Sequence, residues 1–237
     1  MQISKRVILA LVAFILTALS VFAQEKEQSD SLVRLISAES LRQYKGDNGM
    51  TYRKVVGKAR FLHNDTYLLC DTAVWNVDRG YIDAWGNVSI LQEQTVLTSE
   101  KMKYIIEDDL AQFRGSLVQL EDKDKNTLRT KILDYNTKDS VAVFRGGASM
   151  KDKDGQIIES ETGTYDSKAK LFTFKERVNM FTDSVFVMTN SLEYESEKNL
   201  ATFGYGTNAW QKDNMLSSDS GWYNREKEIF FFHNNVH

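Results

Sequence analysis

One spacing recurs six times along this 237-residue chain and leaves few folds open to it. It reads apolar, any residue, small, four residues, aromatic, six residues, then apolar, any residue, apolar. The copies are Leu68, Cys70, Trp75, Ile82, Ala84; Leu97, Ser99, Tyr104, Ala111, Phe113; and Leu128, Thr130, Tyr135, Ala142, Phe144. They continue as Ile158, Ser160, Tyr165, Phe172, Phe174; Val187, Thr189, Tyr194, Ala201, Phe203; and Leu216, Ser218, Tyr223, Phe230, Phe232. Successive aromatics stand 29 to 31 residues apart. A rigid frame at that period means stacked copies of one supersecondary unit, each burying its apolar face against its neighbours. An irregular earlier copy begins at Ile36 and Ala38, with Tyr44 one place late, as a capping repeat would have it.

Because the frame is fixed, all length variation falls between one copy's last apolar residue and the next copy's first. That stretch reads Asp122-Lys123-Asp124-Lys125-Asn126 in one interval and Lys151-Asp152-Lys153-Asp154-Gly155 in the next. Both are hairpin turns, and Asp154-Gly155 favours the positive φ of a tight one. A second turn lies after each aromatic, as in Asn136-Thr137-Lys138-Asp139 and Glu195-Ser196-Glu197-Lys198. Each repeat is therefore two antiparallel passes.

Within the passes, period-two alternation marks strands and shows where they bend. One parity is apolar or small through a glycine in Ile82, Ala84, Gly86, Val88, Ile90 and in Ala111, Phe113, Gly115, Leu117. In the returning pass the parity slips by one across Glu100-Lys101, the signature of a β-bulge. Pairing Tyr104 with Ala111 and Met102 with Phe113 puts that slip beside Gly115, so bulges and glycines stack along one line. The expected fold is all-β: an antiparallel, V-shaped, semi-closed β-jellyroll of about thirteen passes, a rod on the order of 60 Å long. The bends are expected at Gly57, Gly86, Gly115, Gly146 and Gly206, with no helix after the leader. The absence of proline suits ladders that need nearly every backbone N–H.

Lys5 and Arg6 precede an apolar run from Val7 to Leu19 that closes on Val21-Phe22-Ala23, which reads as a secretory signal peptide over 1–23. A linker is expected over 24–35 and the repeat domain over 36–237. Asn235-Val236 looks like the opening of another pass, so the array is expected to continue beyond 237. Export permits disulfides, but Cys70 is the lone cysteine. A net charge of −3 with both signs interspersed offers no nucleic-acid surface. His63, His233 and His237 have no metal-ligand spacing, and no nucleophile elbow, phosphate loop or cofactor motif appears, so the chain reads as a non-enzyme. Acidic clusters such as Asp108-Asp109 and Asp152-Lys153-Asp154 read as solvated turn charge.

At Gly86-Asn87-Val88-Ser89-Ile90 and Leu97-Thr98-Ser99-Glu100, the chain resembles the OstA-like family of lipopolysaccharide-transport proteins. Val178-Asn179-Met180, Leu216-Ser217-Ser218-Asp219 and Asn235-Val236 repeat the pattern more loosely, and the resemblance covers roughly 36–237. It implies a periplasmic bridge that shields the acyl chains of lipopolysaccharide or a related lipid and joins itself or other jellyroll domains head to tail. It further implies a groove lined by Val88, Ile90, Phe113, Phe144, Phe174, Val178, Met180 and Phe203. The chain departs from the family in carrying Cys, Ser or Thr where Ala is usual, and Glu176 at one corner glycine. Two other readings stay open: the periplasmic N-terminal domain of a longer outer-membrane assembly protein, and a filled structural or adhesive solenoid without ligand. Periodicity alone favours the filled core; the resemblance favours the groove.

Overall fold

A computed structural model describes residues 32–237. The expected signal peptide and the linker up to residue 31 lie outside the described residues. The first half of the array runs through β1 (Arg34–Ser37), β2 (Ser40–Lys45), β3 (Thr51–His63), β4 (Thr66–Asn76), β5 (Tyr81–Gln92), β6 (Thr95–Ile105), β7 (Leu110–Glu121) and β8 (Thr127–Asn136). The second half runs through β9 (Val141–Lys151), β10 (Ile157–Asp166), β11 (Leu171–Phe181), β12 (Phe186–Glu195), β13 (Leu200–Phe203), β14 (Thr207–Gln211), β15 (Asn214–Ser218), β16 (Ser220–Asn224) and β17 (Ile229–His233). All the strands join one antiparallel sheet. The pairs β1–β2, β13–β14 and β15–β16 are single passes interrupted at the bend.

The bend is a line of register faults crossing the sheet. Pairing skips between Val56 and Ala59, Trp85 and Val88, Thr98 and Lys101, Arg114 and Val118, Thr130 and Leu133, Glu159 and Thr162, and Lys175 and Val178. Each fault faces the next, so two walls fold toward each other along one crease and every pass contributes to both. The crease demands left-handed backbone: Gly57, Gly86, Gly146 and Gly206 have φ of 83°, 71°, 75° and 79°. Glu176 and Arg177 adopt φ of 65° and 52° at the same height, so the crease imposes this conformation even where glycine is missing.

Gly115 sits on the crease without positive φ, because its pass carries an extra residue there. The fault spans Gly115-Ser116-Leu117 and shifts the parity, so Leu117 is 49 % exposed while Val118 and Leu120 are buried. The expected unbroken parity through Leu117 is therefore wrong in this pass. The expectation of no helix also needs one correction. A single 3-10 turn spans Ser196–Lys198. In most of the corresponding turns the residue after the aromatic caps the chain reversal: Asn76, Asn136, Asp166 and Asn224 accept from the N–H of Arg79, Asp139, Ala169 and Lys227. Glu195 makes no such cap, and there the turn winds up.

The small position of each copy lies on the crease, and in four of the copies where it is Ser or Thr its hydroxyl caps the bulge. Ser99, Ser160, Thr189 and Ser218 each donate to the carbonyl two residues on, at 2.8, 2.9, 3.2 and 3.1 Å. A bulge strands a carbonyl from its ladder, and a short hydroxyl satisfies it where alanine could not.

Candidate functional site

The inner face is made of three rows of direct cross-strand partners. The first joins Trp75, Ile82, Tyr104, Ala111, Tyr135, Ala142, Tyr165, Phe172, Tyr194, Ala201, Tyr223 and Phe230. The second, on the same wall, joins Ala84, Met102, Phe113, Leu133, Phe144, Gly163, Phe174, Leu192, Phe203, Gly221 and Phe232. The third, on the facing wall, joins Leu68, Ile90, Leu97, Leu120, Leu128, Met150, Ile158, Met180, Val187, Ala209 and Leu216. Each row is apolar over these strands, glycines apart; toward the N-terminus the first row continues from Trp75 to Arg53 and Gln43.

The structure brings the eight groove candidates into this one interior. Phe113, Phe144, Phe174 and Phe203 lie in the second row, Ile90 and Met180 in the third, and Val88 and Val178 beside the crease. None is more than 2 % exposed. Both walls contribute to one buried core, and within the first wall rings meet, with centroids of Phe144 and Phe174 6.0 Å apart along the second row and those of Phe172 and Phe174 6.1 Å apart between the first and second rows. Gly163 makes the first approach feasible: a Cβ there would stand 2.4 Å from the Phe144 ring and 2.2 Å from the Thr173 carbonyl oxygen.

The edge opposite the crease, the mouth of the V, is closed by polar groups that the sequence reading passed over. Turns 64–65, 93–94, 122–126, 152–156, 182–185 and 212–213 form one lip; turns 77–80, 106–109, 137–140, 167–170, 196–199 and 225–228 form the other. The second lip is stapled along its length by single backbone bonds, such as Thr137 N–H to Asp109 O at 2.8 Å and Ser167 N–H to Ser140 O at 3.0 Å. Between the lips the repeat's own tyrosine reaches across. The Tyr104 hydroxyl lies 2.7 Å from His63 Nδ1, Tyr135 donates to Gln92 Oε1 at 2.7 Å, and Tyr165 donates to Asp122 Oδ2 at 3.4 Å. Gln92 also donates to the Thr137 carbonyl at 2.7 Å. Burial pushes these phenols up, Tyr135 to about 12.

Asp122 and Asp152 correct the reading of the turn acids as solvated: they are 1 % and 4 % exposed. Each folds back to accept two backbone N–H groups of its own turn, Asp124 and Asn126 for the first and Asp154 and Gln156 for the second. Burial raises the Asp152 carboxyl above its ordinary range, against the pull of Arg225, whose Nε lies 3.6 Å from Oδ2. Arg225 also donates to the Asp154 carbonyl at 2.8 Å, bridging the lips in the fourth rung.

At the C-terminal end the mouth gapes. A cavity of about 870 Å³ lies between Tyr223 and the 182–185 turn. It shares Val185, Gln211, Glu228 and Phe230 with a second cavity of about 440 Å³ lined by Ala209, Trp210, Leu216 and Phe232. Among the described residues no group of three His, Cys, Asp or Glu is placed to hold a metal ion.

The family profile described as OstA-like protein matches residues 30–186 and again 177–237. The chain belongs to the OstA-like family. A comparison with curated proteins finds no match. Among solved structures this OstA-like chain is similar to LptH, described as the LptA-homologous periplasmic component of the conserved lipopolysaccharide transport device from Pseudomonas aeruginosa. The identity is 13 % over 71 % of this chain and 82 % of that one, with a TM-score of 0.23. So distant a likeness assigns no residue of the OstA-like chain a role.

Proposed function

We propose that the chain is a periplasmic bridge that carries lipopolysaccharide or a related lipid toward the outer membrane, its acyl chains lodged between the two walls. One observation carries the reading: in a member of the OstA-like family, three apolar rows run side by side without a polar interruption from Trp75, Ala84 and Leu68 to Phe230, Phe232 and Leu216. Apolar surface holds acyl chains at about 25 cal/mol per Å² without directional contacts, so a lipid held there can also slide. The acyl chains contact Val88, Ile90, Phe113, Phe144, Phe174, Val178, Met180 and Phe203 in this reading. The partners are the lipid and further jellyroll domains, of this chain or others, added to the edges that β2 and β17 leave unpaired.

The closed walls favour a second reading, a filled solenoid without ligand. One experiment separates them. A photo-crosslinking residue in place of Phe113 or Phe174 should capture lipid in living cells, while the same residue at the outward positions Arg114 or Lys175 should not. If neither parity is labelled in protein that is exported and folded, the interior is only a core and the carrier reading is refuted.

A further inference from the structure

Three rungs of the mouth are joined by a tyrosine and a partner 41 to 43 residues earlier: Tyr104 with His63, Tyr135 with Gln92, and Tyr165 with Asp122. The two tyrosines that follow, Tyr194 and Tyr223, make no such bond among the described residues. Arg225 spans the fourth rung in place of a phenol, and the 870 Å³ cavity occupies the fifth. The mouth is thus latched over its first three rungs, bridged next by the Lys123–Glu197 and Arg225–Asp152 ion pairs, and open at the end. The crease, by contrast, is covalently continuous through every pass, so the walls can part only at the mouth.

We propose that the repeat tyrosine is a latch that holds the two lips together, and that the mouth unzips from its C-terminal end to admit a hydrocarbon chain to the interior. The chemistry favours an unzipping seam. Each rung is a small number of hydrogen bonds that water can replace once the lips separate, and the rungs are joined to one another only through the lips. The latch is a feature of the protein alone; its use for lipid rests on the carrier reading. The phenol positions the lips and need not touch lipid.

The test uses a cysteine planted in the third row, Leu120→Cys, in a Cys70→Ser background, and follows its modification by a water-soluble maleimide in the folded protein. Leu120 is fully buried, two residues before Asp122 of the Tyr165 rung and paired with Leu97 of the hairpin that carries Gln92 of the Tyr135 rung, so its labelling rate reports the fraction of time the mouth is open. Removing one phenol with Tyr135→Phe should raise that rate about fivefold, the equivalent of one net hydrogen bond. Adding Tyr165→Phe should raise it about twenty-fivefold in all. The rate should barely depend on urea below the unfolding transition, because parting the lips exposes little surface compared with unfolding. Gln92→Met, which leaves every phenol in place but removes both the Tyr135 partner and the donor to the Thr137 carbonyl, should raise the rate by about the twenty-fivefold of two bonds. Cysteines at Ala209, Met150 and Leu97 should label in that order of speed.

An unchanged rate in the folded variants, or an increase with the full urea dependence of unfolding, overturns the latch. The reverse order of the three cysteines overturns the direction of unzipping. In the same variants, binding of the apolar fluorophore 1-N-phenylnaphthylamine should accelerate by the same factor. Faster labelling without faster dye binding leaves the latch standing and refutes the carrier reading.

Discussion

Replacing Gly163 by alanine tests whether the interior is packed as tightly as its burial implies. Gly163 is paired between Phe144 and Phe174 in the second row, and a Cβ there would lie 2.2 Å from the Thr173 carbonyl oxygen and 2.4 Å from the Phe144 ring. The carbonyl belongs to the backbone of β11 and cannot swing aside. Overpacking of a close-fitted core costs 1–3 kcal/mol, and a backbone clash puts this case at about 3. Gly115→Ala is the internal control. It shares the fold, has an ordinary φ, and finds nothing nearer than 3.6 Å. There the lower entropy of the unfolded chain should leave stability unchanged or raise it by about 0.5 kcal/mol. Urea unfolding would give the global values. Because a stacked array can open one repeat at a time, amide exchange in β9, β10 and β11 should show the loss concentrated around residue 163. Shortening the opposing ring should recover part of it: Phe144→Leu in the Gly163→Ala background should cost at least 1 kcal/mol less than Phe144→Leu alone. Equal effects of the two glycine substitutions, or strict additivity in the cycle, would mean that this wall is loosely packed along its second row and the argument from burial fails.

Burial, with Asp71 adding to it, pushes the Cys70 thiol up to about 12, so folded protein at pH 8 should resist iodoacetamide and urea-unfolded protein should react at once; rapid alkylation of the folded form refutes this. Asp152 has its folded pKa raised, so its protonation favours the fold: that contribution is fully present below the unfolded carboxylate range and is lost as pH rises through the folded value. Wild type should therefore gain on Asp152→Asn as pH falls from 7 toward 4, and a gap between their urea midpoints that does not move with pH contradicts the assignment. Ser160→Ala strands the Thr162 carbonyl at the crease and should cost about 1 kcal/mol, whereas Ser184→Ala, in an exposed turn, should cost almost nothing; comparable midpoints would remove the crease role. Sedimentation should show association that weakens on dilution, and a monomer at every concentration that also pairs with no related jellyroll domain would exclude edge-to-edge addition.

The fold was legible because the frame never changes length where the structure needs it fixed. Tyr104 against Ala111 and Met102 against Phe113 are observed partners, and the glycines at 57, 86, 146 and 206 lie on the crease with positive φ. The slip at Leu117 escaped because one extra residue in a bulge is invisible to a parity count until the partner strand is known. The mouth escaped for a different reason. Asp122, Asp152, Gln92 and His63 look like turn polarity when each is considered alone, and only the folding of one wall onto the other places them opposite a phenol 41 to 43 residues away. A signal was present all the same. The aromatic of the frame is tyrosine in five of six copies, although phenylalanine would serve a purely apolar core as well. A tyrosine kept in register points to a bonded hydroxyl at a fixed height.

The closed interior and the carrier reading are compatible on energetic grounds. An acyl chain entering between the walls exchanges ring-to-methylene contacts for chain-to-methylene contacts of similar density, so the apolar terms nearly cancel. What does not cancel is the opening of the mouth, where buried polar groups must lose one another before water or a headgroup can replace them. The cost of loading is therefore set by Tyr104, Tyr135 and Tyr165 and by the Asp152–Arg225 pair, not by the phenylalanines that make up the bulk of the core. A purely structural solenoid has no need to concentrate its resistance to opening in one seam of separable bonds, since packing alone would hold it shut. Substitutions that shrink the core and substitutions that weaken the seam should thus act on different quantities, the first on global unfolding and the second on access at unchanged stability of the walls.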